Sequence, residues 1–280
     1  MIDYNRSVRE LIQIRTSSRT HTGEAIAAED MGVLADACAR LDRGLLGEPS
    51  RFQVLERPFV KGEKVRLGNY GLQKNPRYFF VGAVNASEMA NESYGYLLEQ
   101  LVLKATELGL GTCWIGFFDP AFFHDFQVTT GERFPATCTV GHAADRRLFE
   151  KVSRAAVRAH KRKSRESLFF ESDFTTPVVL ADESPYSQML EMVRRAPSAG
   201  NSQPWRIIRD KEASAFHFYR TKASRIYHRF GLHNVDMGIA MCHFELMGRE
   251  MGVTGAWQRR EPAGIQPPAD TFYTMSWITD

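Results

Sequence analysis

Two long stretches of this chain align without a gap at a constant offset of 143 residues: YGYLLEQLVLKATELGLGTCW from Tyr94 and MGIAMCHFELMGREMGVTGAW from Met237. Gly95 pairs with Gly238, Leu103 with Leu246, Glu107 with Glu250, Gly109 with Gly252 and Trp114 with Trp257. Each stretch reads as an apolar-periodic helix stopped at a glycine and followed by a strand bearing tryptophan. A solenoid needs about three units or more, so two copies are expected to form a pseudo-twofold pair within one chain.

The remaining elements are expected around that repeat. Residues 3–15 suit a helix with Val8, Leu11, Ile12 and Ile14 as apolar members, ending in Arg15-Thr16-Ser17-Ser18-Arg19. Met31, Leu34, Ala35, Cys38 and Leu41 predict a helix over 28–42. Strands are expected near 51–56, at 77–84, from 112 into a loop at 118, and at 136–141, with the long helix at 91–108. Asp119-Pro120 opens a further short helix, and GNYGLQKNP at 68–76 reads as a loop. In the second copy, a helix carrying Tyr186, Met189, Met192 and Val193 on one face precedes strands at 205–209, 214–219, 254–259 and 271–278. The long helix there spans 234–251. Between the copies the chain is basic and less periodic, with RAHKRKSR from Arg158 to Arg165. The expected organisation is a first half-copy at 1–150, a basic linker at 151–182 and a second half-copy at 183–280.

Composition excludes several classes. A net charge of +3 is too small to imply a nucleic-acid partner, and no apolar run approaches the ~20 residues of a membrane span. MIDYNRSVRE is polar from its start, unlike a signal peptide. Cys38, Cys113, Cys138 and Cys242 lack CxxC spacing and read as buried thiols in a reducing cytoplasm. The histidines form no HExxH array, so no metal site is expected.

The stretch with most local chemistry is MVRRAPSAGNSQPWR, Met192 to Arg206. A helical pattern breaks at Pro197, and Ser198, Ala199, Gly200, Asn201 and Ser202 follow before a strand resumes at Trp205. Proline fixes φ while glycine and asparagine tolerate positive φ, so this is an ordered loop rich in exposed donors. A plain helix-to-strand turn is the alternative reading.

Together, RTSSR (15–19), LGLGTCWIGFFD (108–119), KSR (163–165) and RRAPSAGNSQPW (194–205) resemble the flavin-dependent nitroreductase family, most closely its subgroup with two half-sized copies fused in one chain. The resemblance implies an α+β nitroreductase-like fold and an FMN-dependent oxidoreductase. Ordinary members are homodimers with FMN at the subunit interface. Here the arginine–serine–arginine segment and KSR accompany the first copy, and the Pro-Ser-x-x-Asn run occurs in the second. One composite site and one FMN per chain are therefore expected.

By resemblance, Arg15 and Ser17, joined by Lys163 and Arg165, hold the FMN phosphate, which suits cationic fork donors and hydroxyls. Arg19 points a cation at the flavin pyrimidine, favouring the anionic reduced flavin. Pro197, Ser198, Ala199 and Asn201 cross onto the ribityl chain and ring, with Ala199 standing where many members have serine. Gly116 and Phe117 amides match the loop at flavin N5, where many relatives have Glu-Gly. Asn69, Tyr70 and Gly71 approach the flavin edge by position. NADH or NADPH is the implied reductant, and a nitroaromatic, quinone or other flavin the small-molecule acceptor. No catalytic side chain is required.

Other readings remain open. Arg15 and Arg19, a helical turn apart, also suit a solvated helix end, and the 154–165 cluster a solvated face. Dehalogenation or flavin fragmentation on the same fold, and flavin binding or sensing without turnover, are alternative functions.

Overall fold

The computed structural model describes residues 1–58, 60–67, 72–144 and 161–280. The chain divides into two compact units, Met1–Ala159 and His160–Asp280. Among the described residues no helix is long and apolar enough to cross a membrane.

In the first unit, helix α1 (Val8–Ile14) starts where the Ser7 side chain accepts from the Glu10 amide. The expected helix over 3–15 is shorter because residues before Val8 are bonded elsewhere. The Ile2 amide donates to Gln100 Oε1 (3.0 Å) and the Arg6 amide to Glu107 Oε1 (3.0 Å). Helix α2 (Ala28–Ala39) buries Leu34, Ala37 and Cys38. Strands β1 (Ser50–Glu56) and β4 (Tyr78–Asn85) pair antiparallel, with Phe52 opposite Gly82. A Cβ at Gly82 would fall 2.1 Å from the Phe52 ring, so only glycine admits that ring. Helix α3 (Ala90–Glu107) is followed by β5 (Gly111–Ile115) and β7 (Thr137–Gly141), giving the sheet order β1-β4-β7-β5. The short β6 (Glu132–Arg133) pairs with β4, and β2 (Lys64–Arg66) with β3 (Leu72–Lys74) form a separate hairpin. Phe79, Val81, Ile115, Phe123 and Phe126 lie in one buried cluster, onto which Phe118 and Phe122 pack.

The second unit contains β8 (Phe169–Glu171), α4 (Pro185–Arg195), β9 (Trp205–Asp210), β10 (Ala215–Thr221), α5 (Arg225–Arg229), α6 (Leu232–Glu250), β11 (Gly255–Gln258) and β12 (Thr271–Thr279). Its sheet order is β8-β9-β10-β12-β11. With β8 set aside, that path repeats the first, β9-β10-β12-β11 against β1-β4-β7-β5, and every pairing on both paths is antiparallel. Strand β8, from the segment expected as a linker, adds to β9 in parallel.

The duplication extends to single bonds. Gly109 (φ 75°) and Gly252 (φ 73°) end the long helices in the left-handed region. In the first copy Leu110 donates to the Ala105 carbonyl (2.9 Å), and in the second Val253 donates to that of Gly248 (2.8 Å), at the same offset. The Trp114 and Trp257 indoles each donate to a glutamate of the preceding long helix at 2.8 Å, but the acceptors, Glu99 and Glu245, do not stand at the 143-residue offset. All four cysteines are buried and none is in a disulfide among the described residues.

Candidate functional site

After α1 the chain turns extended at Arg15 (φ −53°, ψ 125°), whose amide still donates to Leu11 O. Ser17 forms a parallel bridge with Thr112 of β5, and the Ser18 amide donates to the Thr112 carbonyl (2.8 Å). Across from it, the Lys74 amide donates to Arg19 O (2.8 Å) and its carbonyl accepts from the His21 amide (3.0 Å). β5 fits closely here: a Cβ on Gly111 would meet Ser18 Oγ at 2.9 Å. Alternate residues of an extended segment share a face, which groups Arg15, Ser17 and Arg19. All three are half-buried, so the solvated-helix-end alternative does not apply.

Arg15 Nε and Nη1 are buried and have no hydrogen-bond partner among the described residues. Cationic donors withdrawn from water are costly unless matched, and a guanidinium offers a fork suited to an oxyanion. This donor set fits a phosphate-bearing ligand.

Gly116 and Phe117 follow β5 directly and are half-buried. Two residues on, the Asp119 amide donates to Leu67 O (3.0 Å), and the Asp119 side chain caps the 3-10 turn Pro120–Phe123. Asn69, Tyr70 and Gly71 lie outside the described residues, between Leu67 and β3. Phe118 packs on Phe134 (4.8 Å between centroids) and Phe123 (5.7 Å), a packing role.

In the second unit the Pro197–Gln203 loop holds Gly200 (φ 57°), Asn201 (φ 56°) and Gln203 (φ 46°) in the left-handed region. Two of these are not glycine, so surrounding bonds must compensate. Ser198 Oγ accepts from the Gln203 amide (2.9 Å), and the Ala199 amide donates to buried Asp236 Oδ1 (2.8 Å). Gly200 lies under Tyr227, whose ring a Cβ would meet at 2.8 Å.

The basic run is sewn to this loop. Lys163 Nζ donates to the carbonyls of Ser202 (2.8 Å) and Gln203 (3.2 Å), and its amide to Gln203 Oε1 (2.8 Å). Burial, with Arg206 nearby, lowers the Lys163 ammonium to about 8. Arg162 Nη1 donates to Asn201 Oδ1 (3.0 Å) and Nη2 to Arg195 O (3.0 Å), while Asn201 Nδ2 donates to Lys161 O (2.8 Å). Arg165 turns away to Ser187 Oγ (2.9 Å) and Glu191 (3.8 Å). The structure thus groups Arg15, Ser17 and Arg19 beside the strand leading to Gly116 and Phe117. Separately, it groups Lys163 with Pro197, Ser198, Ala199 and Asn201.

Arg162, Gln203 and Asp236 were missed by sequence reasoning. Arg162 sits inside the basic run already singled out, and Asp236 stands at the 143-residue offset from Ser93, whose Oγ accepts from the Leu45 amide (3.0 Å). That alignment carried the signal.

A family model described as Putative TM nitroreductase matches residues 7–248. No curated protein matches the sequence. Among solved structures, one described as a putative nitroreductase from Thermotoga maritima aligns with a TM-score of 0.60 at 20% identity, over 99% of this chain and 96% of its own; it shares the fold. A nitroreductase with bound FMN from Bacteroides fragilis aligns over 51% of this chain and 92% of its own, at 19% identity and TM-score 0.40. One in complex with FMN from Desulfovibrio desulfuricans aligns over 53% and 95%, at 21% identity and TM-score 0.36.

Proposed function

Because the chain belongs to the Putative TM nitroreductase family, we propose that it is an FMN-dependent oxidoreductase with one FMN per chain. The observation that carries this reading is Arg15, with two buried guanidinium nitrogens that lack partners among the described residues, on the face it shares with Ser17 and Arg19. Arg15 and Ser17 would hold the phosphate, and Arg19 would direct positive charge toward the pyrimidine end of the flavin. Pro197, Ser198, Ala199 and Asn201 would supply the covering loop, and the Gly116 and Phe117 amides the donors toward N5. Asn69, Tyr70 and Gly71 would border the flavin edge. Lys163, bonded to two loop carbonyls, contributes charge while fixing the loop. Arg165, held by Ser187 and Glu191, serves to anchor α4.

When bound, FMN supplies the redox chemistry, with NADH or NADPH as reductant and a nitroaromatic, quinone or other flavin as acceptor in ping-pong order. No side chain need act as nucleophile or acid. The protein supplies position, charge and exclusion of water.

Purified protein should be yellow, release close to one flavin per chain on heating, bleach anaerobically with NADH or NADPH and recolour with a quinone. Arg15→Ala should weaken FMN binding by roughly 1.5–3 kcal/mol, the range for a hydrogen bond to a charged group. Unchanged affinity in that variant defeats the phosphate assignment. Yellow protein that neither nicotinamide reduces favours flavin binding without turnover.

A further inference from the structure

We infer that Asp236 is a positioning residue of the flavin site, setting the Pro197–Gln203 loop through the Ala199 amide; this rests on the FMN reading above. Its carboxylate is buried at the start of α6 and accepts from that amide at 2.8 Å. The other oxygen, Oδ2, lies 3.2 Å from His233 Nδ1. His233 Nε2 in turn accepts the Ser224 amide proton at 3.1 Å. Because Nε2 is an acceptor, Nδ1 carries the hydrogen and donates to Asp236, so the carboxylate is fixed from both sides. Burial pushes the Asp236 carboxyl up while the His233 and Ala199 bonds oppose it.

Two further observations give this bond a purpose. The loop it fixes carries three residues in the left-handed region, a conformation that persists only where neighbours over-determine it. The tether also exists in the first copy, at the same helix register and with different chemistry. There Ser93 Oγ accepts the Leu45 amide, and the carboxylate comes from Glu48 within the loop itself, bonded to Ser93 Oγ and to the Leu46 amide (2.9 Å). In the second copy the acid stands on the helix, and the loop PSAGNSQ carries none. With the carboxylate on the helix, the loop's own side chains are all neutral, which an anionic cofactor tolerates.

The test breaks one bond from each end. Asp236→Ala removes the acceptor. Ala199→Pro removes only the donor, since Ser198 is already extended (φ −150°, ψ 158°), as a residue before proline prefers. Each variant should raise the FMN Kd about tenfold, near 1.4 kcal/mol, and speed hydrogen exchange at 198–203 in the FMN-free protein. The double variant should be no worse than the worse single, because both remove the same interaction. Wild-type affinity in either folded variant, or additive losses in the double, overturns the inference while leaving the FMN reading intact. Should Asp236→Ala not fold, Ala199→Pro decides by the same criterion. Wild-type protein that takes up no FMN overturns both.

Discussion

The loops that enter the first strand of each sheet path, 42–50 and 196–205, start from equivalent scaffolds and arrive at opposite chemistry. The first carries its own acid: Gly44 donates to Glu48 O (2.8 Å), Gly47 to Gly44 O (3.0 Å) and Ser50 to Asp42 O (2.9 Å), and the Glu48 carboxylate accepts the Leu46 amide while Ser93 of α3 accepts that of Leu45. The second is held from outside, by Asp236, Arg162 and Lys163, and keeps its serines and asparagine in an acid-free run. Strand order, the glycine helix stops and the tether register survive in both copies, because backbone geometry constrains them. Ligand chemistry resides in side chains and has diverged.

Four measurements would sharpen or break that contrast. The largest effect concerns two of the buried histidines, His21 in the first unit and His217 in the second. Burial lowers His21 to about 4, and its Nε2 lies 3.2 Å from Thr139 Oγ1. The unfolded chain therefore takes up a proton near pH 6.5 that the folded one refuses, so stability falls as pH drops from 6.5 toward 4, by up to ~3 kcal/mol. Urea midpoints from pH 7 to 4.5 should show this loss, His21→Asn flattening it more than His217→Asn. His217 is also lowered by burial, yet Asp210 at 3.7 Å pulls it back. Equal flattening would contradict the contrast.

Next come the loop glycines. Gly47 (φ 83°) has open space where a Cβ would stand, whereas Gly200 (φ 57°) has Tyr227 at 2.8 Å. Gly47→Ala should lose only the left-handed penalty of ~1–2 kcal/mol, and Gly200→Ala should lose about 1 kcal/mol more. Denaturant midpoints that match for the two variants would mean Tyr227 moves aside freely.

The tryptophans follow. Trp114→Phe leaves the fully buried Glu99 short of a donor and should cost ~2 kcal/mol. Trp257→Phe faces the partly exposed Glu245 and should cost about 1 kcal/mol. Reversed values by thermal unfolding would undo the ranking of the two environments.

The smallest effect is the charge on Lys163. Its folded value, about 8, lies below the ordinary 10.5, so folding stability rises as pH climbs from 8 to 10.5 and the buried cation is relieved. FMN affinity should move the other way, weakening severalfold between pH 7 and 9 as the charge disappears. Lys163→Met should abolish that slope, and a slope that persists would assign it to another group.

Much of the fold was legible because its long elements are strongly periodic. Both long helices, their glycine stops and the strands after them fall within a few residues of their expected places. What escaped was short or held by distant partners: the β2–β3 hairpin, β8 within the basic segment, and α5 between β10 and α6. Such elements carry too few residues for a pattern. In the candidate site, the sequence picked out Arg15, Ser17 and Arg19 but left their conformation open. Only the bonds to Thr112 and Lys74 stretch them into one face.

By itself the sequence determined the repeat, the α+β class and the segments rich in donors, since periodicity, glycine placement and residue chemistry are local properties. Tertiary structure alone decided that Lys163 grips carbonyls of its neighbouring loop, that Arg165 serves α4, and that a helix carboxylate, Asp236, stands behind Ala199. Those outcomes depend on which groups burial leaves to satisfy one another, and no linear spacing encodes that competition.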